Sequence, residues 1–91
     1  MIVMKFGGTS VEDARSMKSA MEIVRRELPR KPVIVASAIA GATNQLLTTA
    51  HAAFEGKLEE ANKQLSVLHE RHVLILENVV ENRSTVQQVL M

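Results

Sequence analysis

Met1-Ile2-Val3-Met4-Lys5-Phe6-Gly7-Gly8-Thr9-Ser10-Val11 opens the chain and decides its fold class. Ile2, Val3 and Met4 form a short apolar run suited to a buried strand, and from Val11 onward apolar residues fall at helical spacing. The glycine pair therefore occupies the turn between a strand and a helix. Two adjacent residues without Cβ let backbone N–H groups approach an anion, and the following helix adds its unpaired N–H groups and the positive end of its dipole. Lys5 adds a mobile point charge. The dipole contributes only about 0.3–1 kcal/mol at an exposed site, so several donors must converge before a phosphate is held well. The run is neither G-x-x-x-x-G-K-[ST] nor G-x-G-x-x-G with a later acid, so neither a P-loop NTPase nor a dinucleotide fold follows. On these residues alone, a tight turn with Ser10 as helix N-cap stands beside the phosphate loop as an alternative.

A second stretch, Pro32 to Leu47 (PVIVASAIAGATNQLL), repeats the arrangement. Val33-Ile34-Val35-Ala36 suits a strand buried on both faces, and Ser37 to Thr43 is rich in small residues and hydroxyls. Ala42 or Thr43 opens a helix running to about Phe54, and Gly56 supplies its stop. A hydroxyl-lined loop at the carboxyl end of a strand suits a small anionic substrate, since Ser37 and Thr43 can each donate to a carboxylate. In an open α/β sheet ligands sit outside the carboxyl ends of the strands, where both loops lie if the strands are parallel. The alternative is that Ser37 only satisfies its own loop and Thr43 only caps its helix.

Taken together, the opening string and the later Ser37-Ala38 and Gly41-Ala42-Thr43-Asn44-Gln45-Leu46 resemble, in the correct order, two motifs of the aspartate kinases of the amino-acid kinase superfamily. The resemblance implies an α/β fold: an amino-terminal β-α-β-α portion, plus further helices, of a three-layer α/β/α domain. It implies that Lys5, as the catalytic residue, together with Gly7, Gly8, Thr9 and Ser10, faces the phosphates of ATP, and that Ser37, Ala38 and Thr43 face L-aspartate. The implied reaction is phosphoryl transfer from ATP, carried with Mg2+, to the aspartate side-chain carboxylate, the entry step of lysine, threonine and methionine biosynthesis. Ile39 and Ala42 fall where that family varies. A kinase acting on glutamate, acetylglutamate or a nucleoside monophosphate shares the Lys-x-Gly-Gly logic, but Phe6 and Thr9-Ser10-Val11 favour aspartate. A second alternative is a non-catalytic assembly module with an idle phosphate loop.

Ninety-one residues make one domain at most. The family's catalytic domain is longer, with a downstream Gly-Glu motif, a nucleotide-base-binding half and, usually, regulatory domains. The expectation is therefore that residues 1–91 are one incomplete domain, inactive alone and without a tightly bound cofactor. Eleven Lys and Arg balance ten Asp and Glu, a net charge of +1 that offers no field for nucleic acid or membrane. Cysteine is absent, no apolar run is long enough to span a bilayer and no signal peptide is visible, which suits the cytoplasm. Asn82-Arg83-Ser84 matches the glycosylation sequon incidentally.

The remaining chain reads as helices. Ala14, Met17, Met21, Val24 and Leu28 form one apolar stripe, Ser10 with Asp13 resembles a capping box, and Pro29 and Pro32 close the helix before the second strand. Parallel strands joined through this helix imply a right-handed crossover. Leu58, Ala61, Leu65, Leu68, His72, Ile75 and Val79 form a second stripe, on a long helix packed on a domain core rather than in a coiled coil. Ser84 with Gln87 fits a cap for a last short helix. His69 and His72 lie one turn apart without H-E-x-x-H spacing or a third ligand, so no metal site is expected. Apolar surface on the long helix, left uncovered, leads us to expect a homo-oligomer.

Overall fold

The computed structural model describes residues 1–90, and the chain divides into two compact units, Met1–Ala40 and the residues from Gly41 onward. In the first unit, β1 (Ile2–Phe6) and β2 (Pro32–Ala36) pair in parallel, with Ile2 opposite Pro32, Lys5 opposite Val35 and Phe6 opposite Ala36. Between them run a 3-10 turn (Gly8–Val11), helix α1 (Ala14–Arg26) and a second 3-10 turn (Leu28–Arg30). The α/β class is thus as the sequence predicts, and the parallel pairing meets the condition the sequence left open.

The start of α1 is not. Asp13, not Ser10, is its N-cap: the backbone there is extended, and Asp13 Oδ1 accepts the Ser16 N–H at 2.7 Å. Ser10 is taken up one turn earlier, where its N–H donates to Gly7 O at 3.1 Å. A carboxylate at N-cap satisfies an orphan amide and complements the dipole, which a serine three residues upstream cannot do once the chain has made a separate 3-10 turn. The helix ends as the Glu27 N–H turns back to Val24 O, and Lys31 enters β2 in the left-handed region at φ 52°.

Neither strand is buried on both faces, contrary to the expectation from their apolar runs. In β1 the side chains alternate, Ile2, Met4 and Phe6 half-buried and Val3 and Lys5 exposed. Phe6, Ile34 and Ala36 line an apolar groove of about 420 Å³ with Met17, Met21 and Val24 of α1. On the opposite face Val3 is 67% exposed, Val33 45% and Val35 46%. Two strands with one helix cover one face only, and β-branched residues placed for a second layer stand open.

The second unit is helical. Helix α2 (Ala42–Phe54) and the long α3 (Leu58–Val79) pack on each other through the short link Glu55-Gly56-Lys57, in which Gly56 takes φ 80°. Ala42, Thr49 and Ala52 of α2 are buried, as are Ala61, Leu68 and Ile75 of α3, the last three spaced by seven. Small residues on α2 let the two helices approach closely. The seam is narrower than the predicted stripe, because Leu58 and Leu65 are exposed. His72 is exposed too; its Nδ1 lies 2.8 Å from Leu68 O, a carbonyl that can only accept, so Nδ1 carries the proton. Helix α4 (Arg83–Leu90) buries Val86, and Asn82 rather than Ser84 caps it: the Thr85 N–H donates to Asn82 Oδ1 at 3.2 Å. No helix among the described residues is long and apolar enough to cross a membrane.

Candidate functional site

Parallel pairing brings the glycine loop and the first part of the second predicted loop, Ser37 to Ala40, to the same end of the sheet. The ladder continues one step past the strands, with the Ser37 N–H donating to Phe6 O at 3.1 Å, and the Ala40 N–H then donates to Gly8 O at 3.2 Å. Gly8 is pressed against the neighbouring loop: a Cβ there would stand 3.1 Å from Ala38 O and 3.2 Å from Ala40 Cα and N. This glycine is required by close approach of backbone to backbone.

Gly7 is a different case. Its backbone is extended, φ −77° and ψ 176°, a conformation open to any residue, and a Cβ would meet nothing within 4 Å. Nothing in the fold of this chain asks for glycine there. In extended backbone alternate residues share a face, so Lys5 and the missing Cβ of Gly7 lie on one side of the sheet, and Ser37, two residues beyond Val35, falls on that side as well. The first bond inside the 3-10 turn is from the Ser10 N–H, so the Gly8 and Thr9 amides precede it, as the leading amides of any helical turn do. Lys5, Thr9 and Ser10 are exposed. The geometry offers amide donors, an ammonium and open space where a Cβ would stand: requirements for a phosphate.

On the second loop, the Ser37 hydroxyl donates to Ala38 O at 2.8 Å, satisfying its own loop, as the more conservative expectation had it. The residue is exposed, and a hydroxyl in that setting keeps its acceptor lone pairs and rotates at little cost. Ala38 is exposed and contributes its carbonyl to this bond. Thr43 belongs to the second unit. It is exposed and sits at the second position of α2, where the N-cap is Gly41 at φ 84°, with no side-chain cap. Thr43 therefore does not cap its helix. The first bond of α2 runs from the Gln45 N–H to Gly41 O at 3.0 Å, so the Ala42, Thr43 and Asn44 amides precede it.

Asp13, which the sequence offers only as the acid of a capping box begun by Ser10, holds its carboxyl below its ordinary value of 3.8 because it accepts the Ser16 amide, with the Ser16 hydroxyl and the Arg15 charge assisting against slight desolvation. The signal that could have identified it was an acid three residues before a serine at a helix start. Among the described residues, no group of three or more acidic or histidine side chains is arranged to hold a metal ion.

Comparison with known proteins agrees with these motifs. The amino acid kinase family matches residues 1–89. The chain is 37% identical over 73 residues to aspartokinase 1, chloroplastic, of Arabidopsis thaliana, an overlap of 78% of this chain and 13% of that protein. It is 42% identical over 50 residues to the aspartokinase of Rickettsia prowazekii (strain Madrid E), 53% of this chain and 11% of that protein. The chain thus spans a small part of the length of the relatives it matches. With a family match across nearly its whole length and strand-loop-helix motifs in matching order, the chain belongs to the amino acid kinase family.

Proposed function

We propose that this chain carries phosphate and amino-acid contacts of an aspartate kinase, which transfers the γ-phosphoryl group of ATP to the side-chain carboxylate of L-aspartate. A carboxylate oxygen attacks the γ-phosphorus, the bond to the β–γ bridging oxygen breaks, and ADP leaves as the acyl phosphate forms. Such catalysis is mostly positioning and charge stabilisation. Lys5 and the amides of Gly7, Gly8 and Thr9 stabilise the charge on the transferred group, with Ser10 at the end of the same turn; Ser37, Ala38 and Thr43 orient the acceptor. Mg2+ carried with ATP as part of the substrate would neutralise phosphate charge; no residue of this chain is assigned to it.

The observation that carries the proposal is Gly7, a glycine that neither its backbone angles nor its neighbours require, on the same face as Lys5. In this reading both units are parts of one catalytic domain that works in the cytoplasm, although the Arabidopsis thaliana relative is named as chloroplastic. Since the matched relatives are so much longer, the chain alone is expected to bind without turnover. Calorimetry with MgATP and with aspartate tests this: heat from MgATP that disappears on Lys5→Met is expected. Binding unaffected by that change would remove Lys5 from the site.

The exposed Val3, Val33 and Val35 favour a second property beside the first. A face of this kind suits a homo-oligomer, or the assembly module with an idle phosphate loop if neither ligand binds.

A further inference from the structure

The first turn of α2 carries Thr43 and has neither a side-chain cap nor an acidic residue to steady it. What holds it comes from another helix. Arg71, half-buried on α3, donates from Nη1 to Gln45 Oε1 at 3.1 Å across 26 residues of sequence. The same Nη1 stands 3.7 Å from the place a Cβ of Gly41 would occupy. Gln45 is in turn fixed at its backbone, its N–H donating to Gly41 O at 3.0 Å and its carbonyl accepting the Thr49 hydroxyl at 2.8 Å. One side chain of α3 thus reaches both ends of the turn that begins at Gly41 and closes at Gln45.

We infer that Arg71 is a positioning residue: through Gln45 it fixes the Gly41–Gln45 turn, and with it the Thr43 hydroxyl and the amides beside it, for the acceptor amino acid. This rests on the assignment of Thr43 to the acceptor proposed above. A cation beside a helix N-terminus opposes the helix dipole, which makes it a poor choice for helix stability alone. It becomes favourable once a carboxylate docks on the turn, because guanidinium and dipole then act in the same direction on the anion. A charged hydrogen bond in a half-buried setting is strong enough to hold a turn that has no cap of its own.

Amide exchange followed by NMR on residues 1–91 tests this without turnover. Arg71→Met is expected to speed exchange of the Gln45 amide about tenfold while amides in the middle of α3, such as that of Leu68, keep their protection. Arg71→Lys should restore most of it, and Gln45→Leu should reproduce the loss. Combining Gln45→Leu with Arg71→Met should speed the Gln45 amide by less than the product of the two single effects, since both changes remove the Arg71–Gln45 bond. Uniform acceleration along α2 and α3 would mean general packing and overturn the inference, as would an unchanged Gln45 amide. Aspartate titration separates the two levels. Where aspartate shifts the Thr43 amide, Arg71→Met should weaken its affinity about tenfold and leave MgATP shifts at Gly7 to Thr9 alone; equal aspartate affinity overturns the positioning role. A wild-type chain whose Thr43 ignores saturating aspartate counts against the assignment of Thr43 itself, and the exchange result still decides Arg71.

Discussion

Gly8 and Ala38 are in such close approach that a methyl group on Gly8 would lie 3.1 Å from the Ala38 carbonyl oxygen. The obstacle is backbone, which cannot rotate aside as a side chain would, and the Ala40 N–H bond to Gly8 O fixes the spacing from the other direction. Gly8→Ala must therefore spread the two loops. Overpacking of this kind costs about 1–3 kcal/mol. For a chain of this size each kcal/mol corresponds to roughly 4–8 °C in midpoint. A thermal melt of Gly8→Ala should show that drop, and an unchanged midpoint would mean the loops are not interlocked in solution.

Gly7→Ala, one residue away, should behave in the opposite manner. With ordinary backbone angles and open space, the added methyl strains nothing, and restricting the unfolded chain favours the fold by about 0.4–1 kcal/mol. MgATP should bind at least tenfold more weakly, about 1.4 kcal/mol, because the methyl occupies the space assigned to phosphate. A variant that melts no lower than the parent yet binds MgATP equally well would sink the phosphate assignment.

The contrast between these glycines shows what was legible in the sequence. The pair at a strand-to-helix turn marked the loop, and β-branched Val33 to Val35 marked its partner strand, because local composition and period encode both. The division of labour between Gly7 and Gly8 was not encoded, since it depends on how closely a loop 30 residues away approaches. The apolar strands mislead for a similar reason: Val3 and Val35 carry the composition of buried positions, but burial needs a second layer over them. Asp13 and Asn82 displaced the expected Ser10 and Ser84 caps because several residues in each segment can cap, and the true helix start chooses among them. Arg71 and Gln45 belong to no motif; their meeting is a product of helix packing.

Asp13 gives the fold a dependence on acid. Its pKa is lowered in the folded chain, so its contribution is fully present above its ordinary value of 3.8 and is lost as pH falls through the lower, folded value. Asp13→Ala should melt earlier than the parent at pH 6, with the difference narrowing below pH ~3.8 as the parent loses its carboxylate. Asp13→Asn, which still accepts the Ser16 amide, should recover part of the loss and lack the acid dependence. Circular dichroism melts from pH 2 to 7 would read this, and parallel pH profiles for parent and Asp13→Asn would rule out the carboxylate cap.

Self-association should follow from the uncovered face of the sheet. Val3 pairs beside Val33, and Val35 beside Lys5, so three β-branched side chains form one exposed apolar strip. Two such faces stack at a spacing of about 10 Å, burying the valines at ~25 cal/mol per Å². Lys5 at the strip's end does not forbid this, since its long stem can lie along apolar surface while the ammonium stays in water. Light scattering should show a mass above that of one chain, rising with concentration and little weakened by salt, because apolar contact is not screened. Val33→Thr with Val35→Thr keeps the β-branched shape while removing apolar surface, and should return the chain to a monomer with its far-UV spectrum intact. A monomeric parent at high concentration would show that the strip is too small to drive association, and loss of secondary structure in the double variant would show that these valines support the sheet itself.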